Sequence, residues 1–167
     1  MNNRSSLPTL FVVLVVAAGF ILVSGQSLPP IVASHFAADG RANGFMPRNG
    51  YLGLMLFIVV GVPLLLALVH RLVRLVPPHL VNLPNRDYWL VPEQITETFT
   101  FLHNHGIYFS VLLAAFLCFI HWLVVGANKL QPPHFSASLF VTGLVLFLLA
   151  VTIWVGGLFV HFRRPKP

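Results

Sequence analysis

Charged side chains are scarce in this sequence. Asp, Glu, Lys and Arg make up 8% of its 167 residues, and 57% of the residues are hydrophobic. Soluble domains carry about 25% charged residues. A soluble domain of this size exposes too much of its surface to hide such a composition. The composition therefore predicts an integral membrane protein with the lipid bilayer as its main partner.

Cysteine is nearly absent as well. The single Cys118 excludes an intramolecular disulfide framework, and its position in an apolar run favours packing as a small hydrophobic residue. The net charge of +6 comes from ten Lys and Arg residues. They are scattered around apolar runs and form no basic face interleaved with aromatic residues. We therefore expect these cations to be topology signals and expect no nucleic-acid partner.

Four stretches contain no charged residue and are long enough to cross a bilayer: residues 7–23, 51–69, 107–125 and 136–160. Residues 51–69 would extend about 28 Å as a helix, close to the roughly 30 Å of a hydrocarbon core. Because lipid offers no hydrogen-bond partners, each stretch is predicted to be helical. The predicted fold is an all-α integral membrane protein with four transmembrane helices, in one domain over residues 1–167.

The first stretch has a second interpretation. Arg4 precedes it and Val23-Ser24-Gly25 follows as a possible cleavage site, a pattern that also suits a secretory signal peptide. With either interpretation, the loop at residues 26–50 is expected on the outer side of the membrane.

The distribution of cations predicts the orientation. With both termini in the cytoplasm, seven cations lie inside and three lie outside, as the positive-inside rule favours. The inner group is Arg4, Arg71, Arg74, Arg86, Arg163, Arg164 and Lys166, and the outer group is Arg41, Arg48 and Lys129. We expect a multi-pass membrane protein with its N- and C-termini in the cytoplasm.

The outer loop, residues 26–50, has the pattern of a folded cap. Asp39-Gly40, Asn43-Gly44 and Asn49-Gly50 are turn-forming dipeptides. Residues 31–36 favour an extended segment, and Pro29-Pro30 stiffens the entry to it. A flexible linker is usually rich in Ser and Gly and lacks such spacing. The loop is therefore predicted to be ordered.

The inner loop, residues 70–105, also contains organised segments. A turn cluster at residues 82–87 is followed by Tyr88 and Trp89, which suit the membrane interface. Pro92 suits the first position of a helix, and an apolar stripe on residues 95–102 predicts a short amphipathic helix before the third span.

Two features of the spans concern packing. Pro63, in the middle of the second span, frees a backbone carbonyl and predicts a bend. Gly143, Ala150 and Gly157 recur every seven residues in the fourth span and predict a face that another helix approaches closely. The sequence leaves open whether that helix belongs to this chain or to a partner.

Two motifs resemble a known family. The first consists of Leu28, Pro29, His35, Phe36, Gly40, Gly44 and Arg48. The second consists of Asn82, Pro84, Asn85, Tyr88, Trp89, Pro92 and Glu93. Together they resemble a bacterial membrane domain of unknown function found at the N-terminus of Sdp-type immunity proteins. Ala33 stands where that family usually has proline, and the chain is shorter than the full immunity proteins. The resemblance implies a multi-pass inner-membrane protein, which in some relatives protects against a toxin and signals its presence.

Eight histidines raise the alternative of a metal site. In the predicted topology His35, His121 and His134 all lie toward the outer face, where three imidazoles could bind copper or zinc. No pair has a ligand spacing such as i, i+4 on a helix. We expect no cofactor, and the metal-binding protein or metalloenzyme remains the alternative.

Catalytic and transport motifs are absent from the sequence. It contains four carboxylates, no Gly-x-Ser-x-Gly elbow, no phosphate loop and no His-Glu-x-x-His helix. The spans carry no charged residue that would couple transport to an ion. The sequence therefore favours a non-enzymatic protein that acts by protein–protein interaction, as an accessory subunit or as an immunity or regulatory factor. Its expected partner is another membrane protein or a second copy of itself.

Overall fold

The computed structural model describes residues 6–163, so Arg4, Arg164 and Lys166 of the orientation pattern lie outside the described part. Four helices in it are long and apolar enough to cross a membrane. They are Leu7–Gly25, Arg48–Leu75, Ile95–Ala127 and Ala137–Arg163, here called the first to fourth helices. The prediction of four helices able to cross a membrane is confirmed, whereas the chain is mostly helical rather than all-α because residues 31–47 form two paired strands.

The third helix begins earlier than its apolar run. It starts at Ile95 and continues to Ala127 without a break, so the segment predicted as a separate amphipathic helix forms its first turns. Pro92 lies in the turn before the helix. A shorter helix, Arg86–Trp89, precedes that turn. The boundary prediction differed because polar residues such as His103 and Asn104 end an apolar run without ending a helix.

The segment between the first and second helices is a β-hairpin. Strands β1 (Ile31–Phe36) and β2 (Ala42–Pro47) pair antiparallel, with Val32 opposite Met46 and Ala33 opposite Phe45. Two register shifts follow within the pair. Gly40 in the turn has φ of +86°, which a residue with a Cβ rarely adopts. The β1–β2 hairpin is called the hairpin cap below.

The second helix is irregular next to its proline. Phe57–Gly61 forms a π-helical stretch, and the α-helix resumes at Val62. Pro63 has no N–H to donate within the helix, and such π turns are one way in which a helix accommodates a missing hydrogen bond. The irregularity lies where the sequence predicts a bend.

The third helix is the centre of the bundle, because it packs against the first, second and fourth helices. One apolar cluster includes Ile21, Val32, Tyr51 and Val124, so the hairpin cap shares the core of the helices. A second cluster, toward the opposite end, includes Leu10, Ala67, Ile107 and Ala114. The fourth helix lies at the edge, and none of its most apolar 18-residue window is buried.

The small-residue face of the fourth helix points to the third helix. A Cβ built on Gly143 would collide with the ring of Phe119, and a Cβ on Gly157 would lie 3.9 Å from His105 Cε1. Phe147 stacks on Phe116 between these positions, with ring centroids 4.3 Å apart. Ala150 is half-buried. The close neighbour of this face is therefore a helix of the same chain.

We predict that Gly143→Ala destabilises the protein by about 1–2 kcal/mol, because the added methyl group displaces the Phe119 ring. Gly156→Ala is the matched control: a Cβ there meets nothing within 4 Å. It should be neutral or stabilising by up to about 1 kcal/mol, since alanine favours helix. The free energy of unfolding in mixed micelles measures both. Equal effects would contradict this account of the helix contact.

Candidate functional site

The hairpin cap is attached to the third helix through Asn128, which caps that helix. The Ala33 N–H donates to Asn128 Oδ1 at 2.8 Å, and Asn128 Nδ2 donates to the Ala33 carbonyl at 2.9 Å. Nδ2 also donates to the Val124 carbonyl at 2.9 Å. One side-chain amide therefore occupies the outer edge of β1 as a neighbouring strand would. Both Asn128 and Ala33 are buried.

This attachment depends on the residue at position 33. A proline at this position would have no N–H to donate to Asn128, whereas Ala33 supplies that donor. The loop before the fourth helix holds the tip of the cap in a similar way. The Phe135 N–H donates to the Gly40 carbonyl at 2.8 Å, and Phe36 and Phe135 stack with centroids 5.1 Å apart.

The other residues of the first motif have mainly structural positions. Leu28 is buried in the core, and its carbonyl accepts a hydrogen bond from Arg48 Nη1 at 3.3 Å. His35 is exposed, with Nδ1 2.6 Å from Asn43 Oδ1. A Cβ on Gly44 would lie 2.8 Å from the Cβ of His35, so glycine permits the close approach of the two strands. Pro29 is half-buried at the entry to the cap.

A polar network lies directly beneath the cap. His121, on the third helix, is fully buried. Its Nε2 lies 2.9 Å from Ser24 Oγ of the first helix, and its Nδ1 lies 3.0 Å from the Tyr51 hydroxyl of the second helix. Tyr51 also stacks on the imidazole with centroids 5.6 Å apart. Three helices are thus joined at one depth through a single side chain.

The hydrogen bonds assign the tautomer of His121. The Ser24 hydroxyl donates to the Phe20 carbonyl at 2.6 Å, so its oxygen accepts from His121 Nε2–H. Nδ1 then accepts from the Tyr51 hydroxyl, and every hydrogen in the network has an acceptor. A serine nucleophile would need the opposite arrangement, with Nε2 unprotonated to take its proton. The Ser24–His121–Tyr51 set therefore functions as a structural lock between helices.

The three histidines of the metal hypothesis are engaged separately. Both ring nitrogens of His121 are hydrogen-bonded within the lock, and His35 is bonded to Asn43. The ring of His134 lies beside Gly40 at the tip of the cap. Among residues 6–163, no group of three His, Cys, Asp or Glu side chains is arranged to hold a metal ion. The geometry does not favour the metal-binding alternative.

The second motif caps the end of the fourth helix. Asn85 Nδ2 donates to the carbonyls of Phe162 and Arg163 at 3.1 and 3.0 Å, and Trp89 Nε1 donates to the Phe162 carbonyl at 2.9 Å. The last carbonyls of a helix have no partner within it, and these donors supply one. Asn85 adopts φ of +52°, in the left-handed region that Asn tolerates.

Aromatic packing completes this contact. Trp89 and Phe162 are buried, and His161 stacks on Trp89 with centroids 5.2 Å apart and on Phe101 at 3.6 Å. Thr98 Oγ1 donates to the Trp89 carbonyl at 2.8 Å and ties the motif to the third helix. We call Asn85, Trp89, Thr98, His161 and Phe162 the clasp.

Of the remaining motif residues, Tyr88 contacts the clasp. It packs edge-on against Trp89, with ring centroids 5.0 Å apart. Asn82 is exposed and Pro84 is half-buried, just before Asn85. Pro92 and Glu93 are exposed in the turn before the third helix. The structure thus brings Asn85, Tyr88 and Trp89 of the motif together at the end of the fourth helix.

Sequence reasoning missed Ser24, Tyr51 and Asn128. Each is a polar residue at the end of an apolar run, on the side where the cap is predicted. Their common position at the outer ends of the predicted spans was the signal that could have identified them, because a polar group near lipid requires a hydrogen-bond partner. Which of these residues bond to each other could not be read from their spacing.

We predict that Asn128→Ala loosens the cap, because it removes both bonds to Ala33. We expect the free energy that holds the cap closed to fall by about 2 kcal/mol, which raises the population with an open cap about 30-fold. The rate of tryptic cleavage after Arg41, at the tip of the cap, measures this population. Lys129→Gln, an exposed neighbour, should leave the cleavage rate unchanged. Similar rates for Asn128→Ala and the wild type would contradict the attachment.

The lock predicts energetic coupling between Tyr51 and His121. In a double-mutant cycle with Tyr51→Phe and His121→Phe, we expect a coupling free energy of about 1 kcal/mol, as found for polar pairs between membrane helices. Tyr108→Phe combined with His121→Phe is the control, because the Tyr108 side chain is exposed on the same helix. Unfolding in mixed micelles gives both values. A coupling energy no larger than the control's would contradict the lock.

Comparison with known proteins gives one match. Residues 12–60, a little under a third of the chain, match the family model described as Domain of unknown function (DUF1648). The match covers most of the first helix, the hairpin cap and the first part of the second helix, including Ser24, Ala33 and Tyr51. No curated protein and no solved structure matches the chain. The part of the resemblance that concerns a domain of unknown function is confirmed.

Proposed function

We propose that this protein acts by protein–protein interaction in the inner membrane, with the hairpin cap on the outer side and both termini in the cytoplasm. The orientation rests on the excess of cations in the loops on the other side. The interaction role is that of an accessory subunit of a membrane complex or of an immunity or regulatory factor, the role that the resemblance to Sdp-type proteins suggests.

The observation that carries this proposal is an exposed apolar surface on the cap. Ile31 and Phe45 are 57% and 58% exposed, although the cap is fixed to the third helix by Asn128 and to the last loop by Phe135. The cap follows the end of the first helix, and the proposed orientation places it outside the bilayer, where lipid tails would not cover this surface. A rigid apolar surface of this kind is typical of a protein-binding site.

The backbone of the cap also suits a partner. The Ala33 N–H is donated to Asn128, so the Ala33–Phe45 pair does not exchange backbone hydrogen bonds. The N–H and C=O of Phe45 therefore point away from β1. His134 and Phe135 already pair with Arg41 and Gly40 farther along the cap. An extended segment of a partner can therefore form backbone hydrogen bonds of the same kind with the N–H and C=O of Phe45.

Other functions have less support. The Ser24 hydroxyl hydrogen is donated to a carbonyl, which does not suit a nucleophile. The charged residues within the four described helices, namely Arg48, Arg71, Arg74, Glu97 and Arg163, lie near helix ends, so the middle of the bundle has none of the ionisable carboxylates or cations that transporters use.

Site-specific photocrosslinking tests the proposal. A benzophenone amino acid at position 45 in the full chain, at native expression, should crosslink one defined protein, which mass spectrometry of the mild-detergent extract also finds without crosslinking. Leu75 is the matched control, because it is exposed at the other end of the second helix. Recovery of the uncrosslinked monomer alone, or the same products from both positions, would contradict the proposal. A product of twice the mass of this chain would identify a second copy as the partner.

A further inference from the structure

His103 has a buried ring nitrogen without a partner. The side chain is 5% exposed. Among the buried side-chain nitrogen and oxygen atoms of residues 6–163, Nδ1 of His103 is the one that forms no hydrogen bond. Leaving such a group unsatisfied costs about 1–3 kcal/mol. Unsatisfied buried groups in folded proteins often mark a functional position. Nothing in the hairpin cap, the lock or the clasp uses His103.

The surroundings of His103 are basic. The ring of His70, on the second helix, lies directly over Gly106 of the third helix. His103 precedes Gly106 by one turn and Arg74 follows His70 by one turn, so these antiparallel helices bring Arg74 to the level of His103. Arg71 and Arg74 belong to the last turns of the second helix, and residues 73–75 of that helix pack against the third helix.

Within residues 6–163, neither Arg71 nor Arg74 forms an ion pair with a carboxylate. The ion pairs of residues 6–163 join Arg41 to Asp39 and Arg86 to Asp87. Arg71 and Arg74 are exposed at the end of the second helix, just beyond its apolar run. Two unpaired guanidinium groups next to an unsatisfied imidazole therefore lie at the depth where a bilayer has its headgroups.

We propose that His103, Arg71 and Arg74 form a binding site for a phosphate group. The guanidinium groups match phosphate oxygens bidentately, and His103 Nδ1–H donates to a third oxygen. Because His103 is buried and Arg74 is a long, exposed side chain, the proposed site includes a rearrangement of Arg74 when the phosphate binds. The phosphate comes either from an anionic lipid headgroup or from a soluble phosphate compound, since the two share this chemistry. This site does not depend on the role of the cap.

Native mass spectrometry of the full chain tests the site. The protein is extracted from nanodiscs that contain equal amounts of phosphatidylglycerol and phosphatidylcholine, with and without added inorganic phosphate. We expect bound phosphatidylglycerol to exceed phosphatidylcholine about tenfold, because both lipids carry a phosphodiester but Arg71 and Arg74 repel the choline cation of phosphatidylcholine. Arg74→Gln and His103→Phe should each abolish that preference. Arg86→Gln is the control, because Arg86 lies on the same side but faces Asp87.

The nitrogen-15 signal of His103 provides a readout that a change in folding would not imitate. It should shift when phosphatidylglycerol is added to the wild type and remain unshifted in Arg74→Gln, whose exposed substitution leaves the core intact. Displacement of the lipid by inorganic phosphate, with the same shift, would identify a soluble phosphate as the ligand. A lipid preference that survives His103→Phe, or no preference in the wild type, would overturn the site. Crosslinking at position 45 is unaffected by either result.

Discussion

The structure depends on one constraint: polar groups at the ends of apolar helices must find partners inside the chain. Lipid tails are as apolar as the side chains they surround, so burial alone gives membrane helices little reason to associate. The third helix provides the required partners at two levels. Asn128 bonds to both backbone groups of Ala33, and His121 joins Ser24 to Tyr51. The hairpin cap, the first helix and the second helix are thereby fixed to one central helix.

The two ends of the bundle are held by different chemistry. On the cap side, side-chain amides and hydroxyls meet backbone groups and leave Phe45 and Ile31 exposed. On the opposite side, the clasp supplies hydrogen bonds to the last carbonyls of the fourth helix and buries Trp89. Three residues of the two sequence motifs, namely Arg48, Asn85 and Trp89, therefore have a structural explanation, because each donates to a backbone carbonyl. The features left over, the exposed face of the cap and the basic cluster at His103, are those for which we propose functions.

Much of the fold follows from composition. Uncharged runs of sufficient length predicted the four helices, and the turn dipeptides around Gly40 predicted an interruption that the structure shows as a hairpin. Local patterns also suggested the bend near Pro63 and the small-residue face around Gly143. The predicted start of the third helix was wrong, because hydropathy marks where the lipid-facing run begins, whereas the helix extends beyond it into polar residues.

The contacts between residues of the site could not be predicted from the sequence. Asn128 is 95 residues from Ala33, and His121 is 97 residues from Ser24. Periodicity describes neighbours within one helix, and it carries no information on which side chains meet across helices. For this reason His121 appeared as a candidate metal ligand, although each of its two ring nitrogens is hydrogen-bonded to a hydroxyl group. Tyr88 and Trp89 likewise appeared as interface anchors, and the bond from Trp89 to Phe162 was not foreseen.

Amide hydrogen exchange at Ala33, measured for the full chain in a bilayer, tests the central claim most directly. The N–H of Ala33 is bonded to a side chain of a distant helix and to no neighbouring strand. If the cap is fixed to the third helix, this amide exchanges as slowly as the core amides of that helix, such as that of Ala114. Exchange as fast as in an unstructured peptide would show that the cap moves independently and would contradict the account.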